Sequence, residues 1–217
     1  WKDAPFDVCE STQEMSYFDR WSRIRHNVIL NWIDVSDRDG RMGLGLLSDH
    51  TTSYVHGPDC PTGLTLQYSG QGLWGPDYRI DGPTEVNFAF VPHCDVVGAE
   101  AMWAEADCYN EPLQAVMCGG SGKAKSCSLA GVDVAGYRLS SAVADRTGRA
   151  VIRLHNVCAD RPARLSLGFP CGNVSEVDLL GNVLRDNVSD HDRVALDIRR
   201  NGFRTFSFRH DLKDGRP

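Results

Sequence analysis

Short apolar runs alternate along this chain with clusters of turn-forming residues, and within the runs the apolar positions mostly recur every second residue. Residues 28–35 are apolar with β-branched side chains and run into Ser36-Asp37-Arg38-Asp39-Gly40, a turn cluster. Residues 42–47 follow as a short buried strand. Leu44 and Leu46 fall on one face, and Gly43, Gly45 and Leu47 on the other. The two glycines leave room for another backbone or a ligand. Residues 48–61 carry Asp49, His50, Gly57, Pro58, Asp59 and Pro61 and read as an irregular loop. Residues 63–68 alternate Leu64, Leu66 and Tyr68 as a strand. Residues 69–83, rich in Gly and Pro, read as a long surface excursion. Residues 85–91 return as a strand that Pro92 stops.

One stretch has a different period. Val97, Ala101, Ala104 and Cys108 recur at helical spacing among abundant Ala and Glu, and Glu111-Pro112 ends the pattern. Gly119-Gly120-Ser121-Gly122-Lys123 reads as a linker; its spacing is not that of a phosphate-binding loop and no helix follows. Residues 132–144, 150–156, 163–169, 174–180, 194–199 and 203–208 then predict six strands. Asp145-Arg146-Thr147-Gly148 and Arg200-Asn201-Gly202 predict hairpin turns. The fold class expected is all-β: a β-sandwich over residues 1–92, one short connecting helix within 93–117, and a second, smaller β-sandwich over 118–217.

Composition narrows the partners. A net charge of −6 and a pI near 5.6 argue against nucleic acid, whose phosphates need a basic face. The arginines at 199, 200, 204 and 209 interleave with Phe203, Phe206 and Phe208 as the solvent side of an alternating strand. No apolar run approaches the ~20 residues of a membrane span. The eight cysteines form no CxxC pair, which removes zinc-ribbon and thioredoxin readings, and they are expected mostly as buried small hydrophobes. Trp1-Lys2-Asp3-Ala4-Pro5 reads as the middle of a longer protein, so compartment is not legible from this end. Asn173-Val174-Ser175 and Asn187-Val188-Ser189 fit the glycosylation pattern, which matters only in a secreted eukaryotic protein.

Two sets of residues could carry chemistry. His50, His56, Asp59, Cys60 and His93 could converge on zinc if the loop folded back, but their spacing has no standard form, and no metal site is assigned. Trp74 and Tyr78 form an aromatic pair suited to stacking on a sugar; the competing reading is an anchor that pins the long loop.

Four segments resemble, in order, glycoside hydrolase family 38, the α-mannosidases. Asn31-Trp32-Ile33-Asp34-Val35-Ser36 is similar to that family's RWVDLS strand, and Gly43-Leu44-Gly45-Leu46-Leu47-Ser48-Asp49 to its GxALL(N/T)D strand. Glu85-Val86-Asn87-Phe88-Ala89-Phe90-Val91-Pro92-His93 is similar to hxYALxPH, and Glu176-Val177-Asp178-Leu179-Leu180-Gly181-Asn182-Val183-Leu184 to EVDLLGxxL. The resemblance implies that the first sandwich is part of a mutarotase-like supersandwich. It also implies that the catalytic barrel, with its zinc, lies upstream and outside this chain.

Neither the family's HxD motif nor its nucleophile strand is present, so no catalytic residue and no cofactor are assigned here. The implied role is to brace the barrel and complete the rim that binds a mannoside or oligosaccharide. Asp49, His50 and Tyr54 sit where the family's barrel-facing loop lies. Asp49 could accept from sugar hydroxyls and Tyr54 could stack, or Asp49 could cap a turn and Tyr54 pack the loop. Sheet edges that a barrel would cover favour association into a homo-oligomer. The alternatives are a stand-alone carbohydrate-binding module or a structural interaction domain.

Overall fold

Alternating sequence gives strands throughout the computed structural model, which describes residues 1–5, 7–10, 26–57, 60–72, 75–95, 97–115, 117, 128–168 and 171–209. The fold is all-β with one short helix among these residues. The chain divides into two compact units, Trp1–Ala115 and Val116–Pro217. No helix among the described residues is long and apolar enough to cross a membrane.

In the first unit an antiparallel sheet of five strands takes the order β2 (Asp7–Cys9), β1 (Lys2–Ala4), β4 (Trp32–Ser36), β5 (Met42–Ser48), β8 (Phe88–Cys94). A three-stranded sheet of β3 (His26–Ile29), β6 (Thr52–Gly57) and β7 (Cys60–Leu64) shares its core. Ile33 and Leu46 come from the larger sheet, Ile29 and Tyr54 from the smaller, and all four are buried. Between the sheets a cavity of about 330 Å³ remains, walled by Val35, Leu44, Leu64, Leu66, Phe88 and Phe90. Leu44, Leu66, Phe88 and Phe90 are exposed beside it.

Four expectations about this unit are corrected. Residues 28–35 are not one strand but β3 and β4. At the break, the buried Asp3 carboxylate accepts the Leu30 N–H at 2.9 Å and the Asn31 N–H at 2.6 Å. Those donors leave the ladder without being stranded. Burial raises the Asp3 carboxyl above its ordinary value, and these backbone hydrogen bonds oppose the rise. Residues 48–61 are not a loop throughout, because they contain β6, paired to β3 and β7. Pro92 does not stop a strand but sits inside β8 opposite Leu44. That is tolerated because β8 is an edge strand and one side needs no N–H. The strand expected over 63–68 ends at Leu64, as part of β7.

The helix α1 (Ala99–Asn110) covers the other face of the five-stranded sheet, where Trp32, Gly43, Gly45 and Leu47 lie. It forms where the sequence predicts, but its buried stripe is Met102, Trp103 and Ala106. Ala101, Ala104 and Cys108 face outward. Trp103 meets Trp32 edge-on, ring centroids 5.9 Å apart at 87°. The helix therefore packs as part of the first unit.

The second unit is a sandwich of two antiparallel sheets. One takes the order β10 (Tyr137–Ala144), β11 (Ala150–Asn156), β17 (Phe203–Phe208), β13 (Ser175–Val177), β14 (Val183–Arg185). The other runs β15 (Ser189–Asp190), β16 (Arg193–Leu196), β12 (Ala163–Leu167), β9 (Ala130–Val132). Ile152, Leu154, Phe206 and Phe208 from the first pack on Leu165, Leu167, Val194 and Leu196 from the second.

The hairpin at 145–148 forms as expected, with Gly148 at φ +76 and its N–H on the Asp145 carbonyl. The other expected hairpin does not: Asn201 turns at φ +61, but β16 and β17 lie in different sheets. Residues 132–144 likewise split between the sheets, at Gly136 with φ +94. Arg204 on β17 is exposed as expected, while Phe206 and Phe208 are core.

Cysteines do not follow expectation. Among the described residues, Cys9, Cys158 and Cys171 are half-buried, and Cys94 and Cys108 are exposed.

Gly45 decides how closely α1 can approach. A Cβ there would sit 2.6 Å from Met102 Cε and 3.3 Å from Val91 Cβ. Gly45→Val should cost about 1–3 kcal/mol through overpacking, read as a lower urea midpoint with unchanged slope. A midpoint equal to wild type would mean that the helix floats free of the sheet.

Candidate functional site

Of the five residues that sequence singles out for sugar contact, the structure brings Asp49 and His50 together at the end of β5. The β5–β8 ladder continues one step past the strands: the Asp49 N–H donates to the Asn87 carbonyl at 3.2 Å. In return, Asp49 Oδ2 accepts the Asn87 backbone N–H and its Nδ2–H, both at 3.0 Å. Asp49 Oδ1 accepts the His50 Nδ1–H at 2.6 Å. These hydrogen bonds, that from His50 foremost, hold the Asp49 carboxyl below the usual carboxylate range. The carboxylate thus meets three donors and keeps about one of its four acceptor positions. Fixing the proton on Nδ1 also fixes the tautomer of the neutral imidazole.

The same rim gathers side chains that sequence reasoning did not single out. Asn110, closing α1, donates Nδ2–H to the Ser48 carbonyl at 3.2 Å. Glu85 Oε1 accepts from Asn87 Nδ2 at 3.4 Å. Burial, and then the charge of Asp49, push the Tyr109 hydroxyl up, which places Tyr109 within electrostatic reach of Asp49. Asn87 lies in the quoted Glu85–His93 segment, so the segment marked the place but not the pairing.

The remaining candidates separate. Tyr54 is 1 % exposed in the core of the first unit and cannot stack on a sugar in this structure. Strand β6 puts it there, because alternation along a strand gives Tyr54 to the inner face. Trp74 lies outside the described residues. Tyr78 is 55 % exposed and pairs edge-on with Tyr68, centroids 5.6 Å apart at 74°. Its backbone bridges Gly70, so it pins the excursion to itself.

The three histidines of the conceivable metal set are also engaged apart from one another. His50 is held by Asp49, His56 Nδ1 pairs with Thr62 Oγ1 at 2.9 Å, and His93 turns to the helix-covered face. Asp59 and the Cys60 side chain lie outside what is described.

His93 is held at both of its ring nitrogens. Its Nε2–H donates to Asp34 Oδ1 at 2.7 Å, and its Nδ1–H to the Asp95 carbonyl at 3.0 Å. The side chains of His93 and Asp34 are 8 % and 4 % exposed. Both ring nitrogens face acceptors, so the ring must donate from both, as only the imidazolium can. Gly43 makes this possible, because any Cβ there would strike the imidazole. No protein-family model matches the chain, and no curated protein matches it.

The Asp34 hydrogen bond raises the His93 pKa above its ordinary value; partial burial opposes it and the Asp95 carbonyl adds to it. A raised histidine stabilises fully below its unfolded value of about 6.5, and that contribution disappears as pH rises through the folded value. Wild type should therefore lose its stability advantage over His93→Gln as pH rises above about 6.5. Urea midpoints of both proteins across that range test it; a difference independent of pH would remove the imidazolium from this account.

Proposed function

We propose that this chain is the C-terminal β-domain portion of an α-mannosidase-like glycoside hydrolase. In this reading it braces a catalytic barrel supplied by the parent protein and completes the rim of the substrate site. The carrying observation is that three of the four quoted segments are neighbours in one sheet. They fall on β4, β5 and β8, in register, and end at the Asp49–Asn87 rim. Segments with a shared reason to be together in sequence are thus together in space. The open apolar cavity beside Phe88 and Phe90 supports the bracing role, since exposed apolar surface of this kind fits a protein partner. Carbohydrate at the rim is supported by Asp49, His50 and Glu85, which offer fixed acceptors and a fixed imidazole to hydroxyl groups.

The rim as built holds the substrate rather than cleaving it. Asp49 is held ionised and is largely occupied by its own neighbours, which suits a positioning residue more than a general acid. On this reading the isolated chain does not hydrolyse aryl mannosides, with or without zinc. Turnover by the pure chain that a carboxylate substitution within it abolishes would overturn that.

In the parent enzyme, Asp49→Ala should lower kcat/KM by about tenfold or more, the loss of one charge-assisted hydrogen bond, with a small change in melting temperature. Tyr54→Ala should do the reverse. It opens a core cavity that costs about 3 kcal/mol or more, and it leaves the kinetics of the surviving folded enzyme near wild type. Steady-state kinetics beside thermal melts of both variants separate the two effects. An Asp49→Ala enzyme with wild-type efficiency would assign the rim to structure alone.

A further inference from the structure

The second unit has a cavity of its own, of about 780 Å³, lined by residues of both sheets. Its floor is apolar, from Ala163, Leu196, Ile198 and Phe206. Its walls are charged, and the charges are placed by a buried group. Glu176 on β13 is 4 % exposed and points to the same face as Phe206, its cross-strand partner, where a sandwich normally carries apolar side chains. Its Oε2 accepts Arg185 Nε–H at 2.7 Å and also Arg185 Nη2–H; its Oε1 is ion-paired with Arg204 Nε at 2.9 Å.

A carboxylate this deep is costly unless paired. Two guanidinium groups more than match its charge, and they are locked by it at the cavity wall. Locked forks with N–H groups to spare are good donors to a ligand oxygen.

Acceptors stand at the same mouth. The exposed Asp133 and Asp197 line the cavity. Both also act on the Tyr137 hydroxyl, which burial raises most and these two carboxylates raise further. Counting Arg164, Arg185 and Arg204 against Asp133, Asp197 and the Glu176 behind them, the site is electrically balanced. That balance disfavours both a bare anion and a bare cation. It suits a ligand whose groups each donate and accept.

We propose that this cavity binds an uncharged saccharide, with Arg185 and Arg204 donating to its oxygens and Asp133 and Asp197 accepting from its hydroxyls. It shares the carbohydrate reading given above but places a second site in the other unit. Its volume lies in the ordinary range of ligand pockets, and its apolar floor is ringed by five charged side chains.

The test uses the full chain titrated with methyl α-mannoside, methyl α-glucoside and methyl β-galactoside, with glucuronate and inorganic phosphate as anionic probes, followed by calorimetry or amide chemical shifts. The expected result is saturable binding of at least one neutral glycoside with Kd on the order of millimolar, and weaker or no binding of both anions. Arg185→Gln leaves Glu176 still paired to Arg204, so the fold survives, and it should weaken binding by about tenfold. Asp197→Asn should weaken it similarly while bringing the Tyr137 titration down.

Amide shift changes centred on Asp133, Arg185 and Asp197 rather than on Asp49 and Asn87 separate this site from the rim. Failure of all three glycosides to bind, stronger binding of the anions, or unchanged affinity in folded Arg185→Gln would each overturn the proposal. None of these would touch the kinetic test of the rim.

Discussion

The packing over the helix-covered face of the first unit depends on the absence of side chains at two positions of one strand. Strand β5 is the inner neighbour of both β4 and β8, so whatever covers its outer face must fit above it. Gly45 lets Met102 lie against the sheet, and Gly43 lets the His93 ring reach across to Asp34. The first contact brings α1 close enough for Trp103 to meet Trp32. The second ties β8 to β4 over the strand between them. Close packing of this kind admits no extra methyl group without moving something. The geometry of the Asp49 rim inherits that rigidity, since the rim is where β5 and β8 end and where α1 contributes Asn110.

The two units solve the same electrostatic problem in the same way. Each carries a carboxylate where apolar groups would be expected, and each surrounds it with donors. Asp3 takes two backbone N–H groups at a strand break, Asp34 takes an imidazole, and Glu176 takes two guanidinium groups. A buried charge with full hydrogen bonding can be retained at modest cost, whereas removing one partner is expensive. These groups therefore fix geometry: where the β3–β4 break falls, how β8 sits over β5, and where two arginines stand at the mouth of the second sandwich.

The proposed functions rest on these fixed points. Side chains that meet a ligand need supporting partners that hold them in place. Asp49 has Asn87 and His50 to hold it, and Arg185 and Arg204 have Glu176. Tyr54, by contrast, has its whole ring in the core, so its environment assigns it to packing.

The all-β class, the position of the helix, the turns at 36–40 and 145–148 and the surface excursion after residue 69 were legible in the sequence, because each depends on local periodicity or on a few turn residues. Among the candidate site residues, Asp49 and His50 were legible as the end of a glycine-bearing strand. Tertiary structure alone decided the rest. It turned residues 52–57 from loop into β6, because a third strand edge was there to pair with. It chose Met102, Trp103 and Ala106 over the Ala101, Ala104 and Cys108 stripe, because the bulky residues fill the space that the glycines leave. It sent β16 and β17 to different sheets, a choice that a local turn at Asn201 does not record. Pairings such as Asp34 with His93 and Glu176 with Arg204 join residues far apart in the chain. Sequence sets which groups can ionise and hydrogen-bond, but only the folded backbone sets which of them meet.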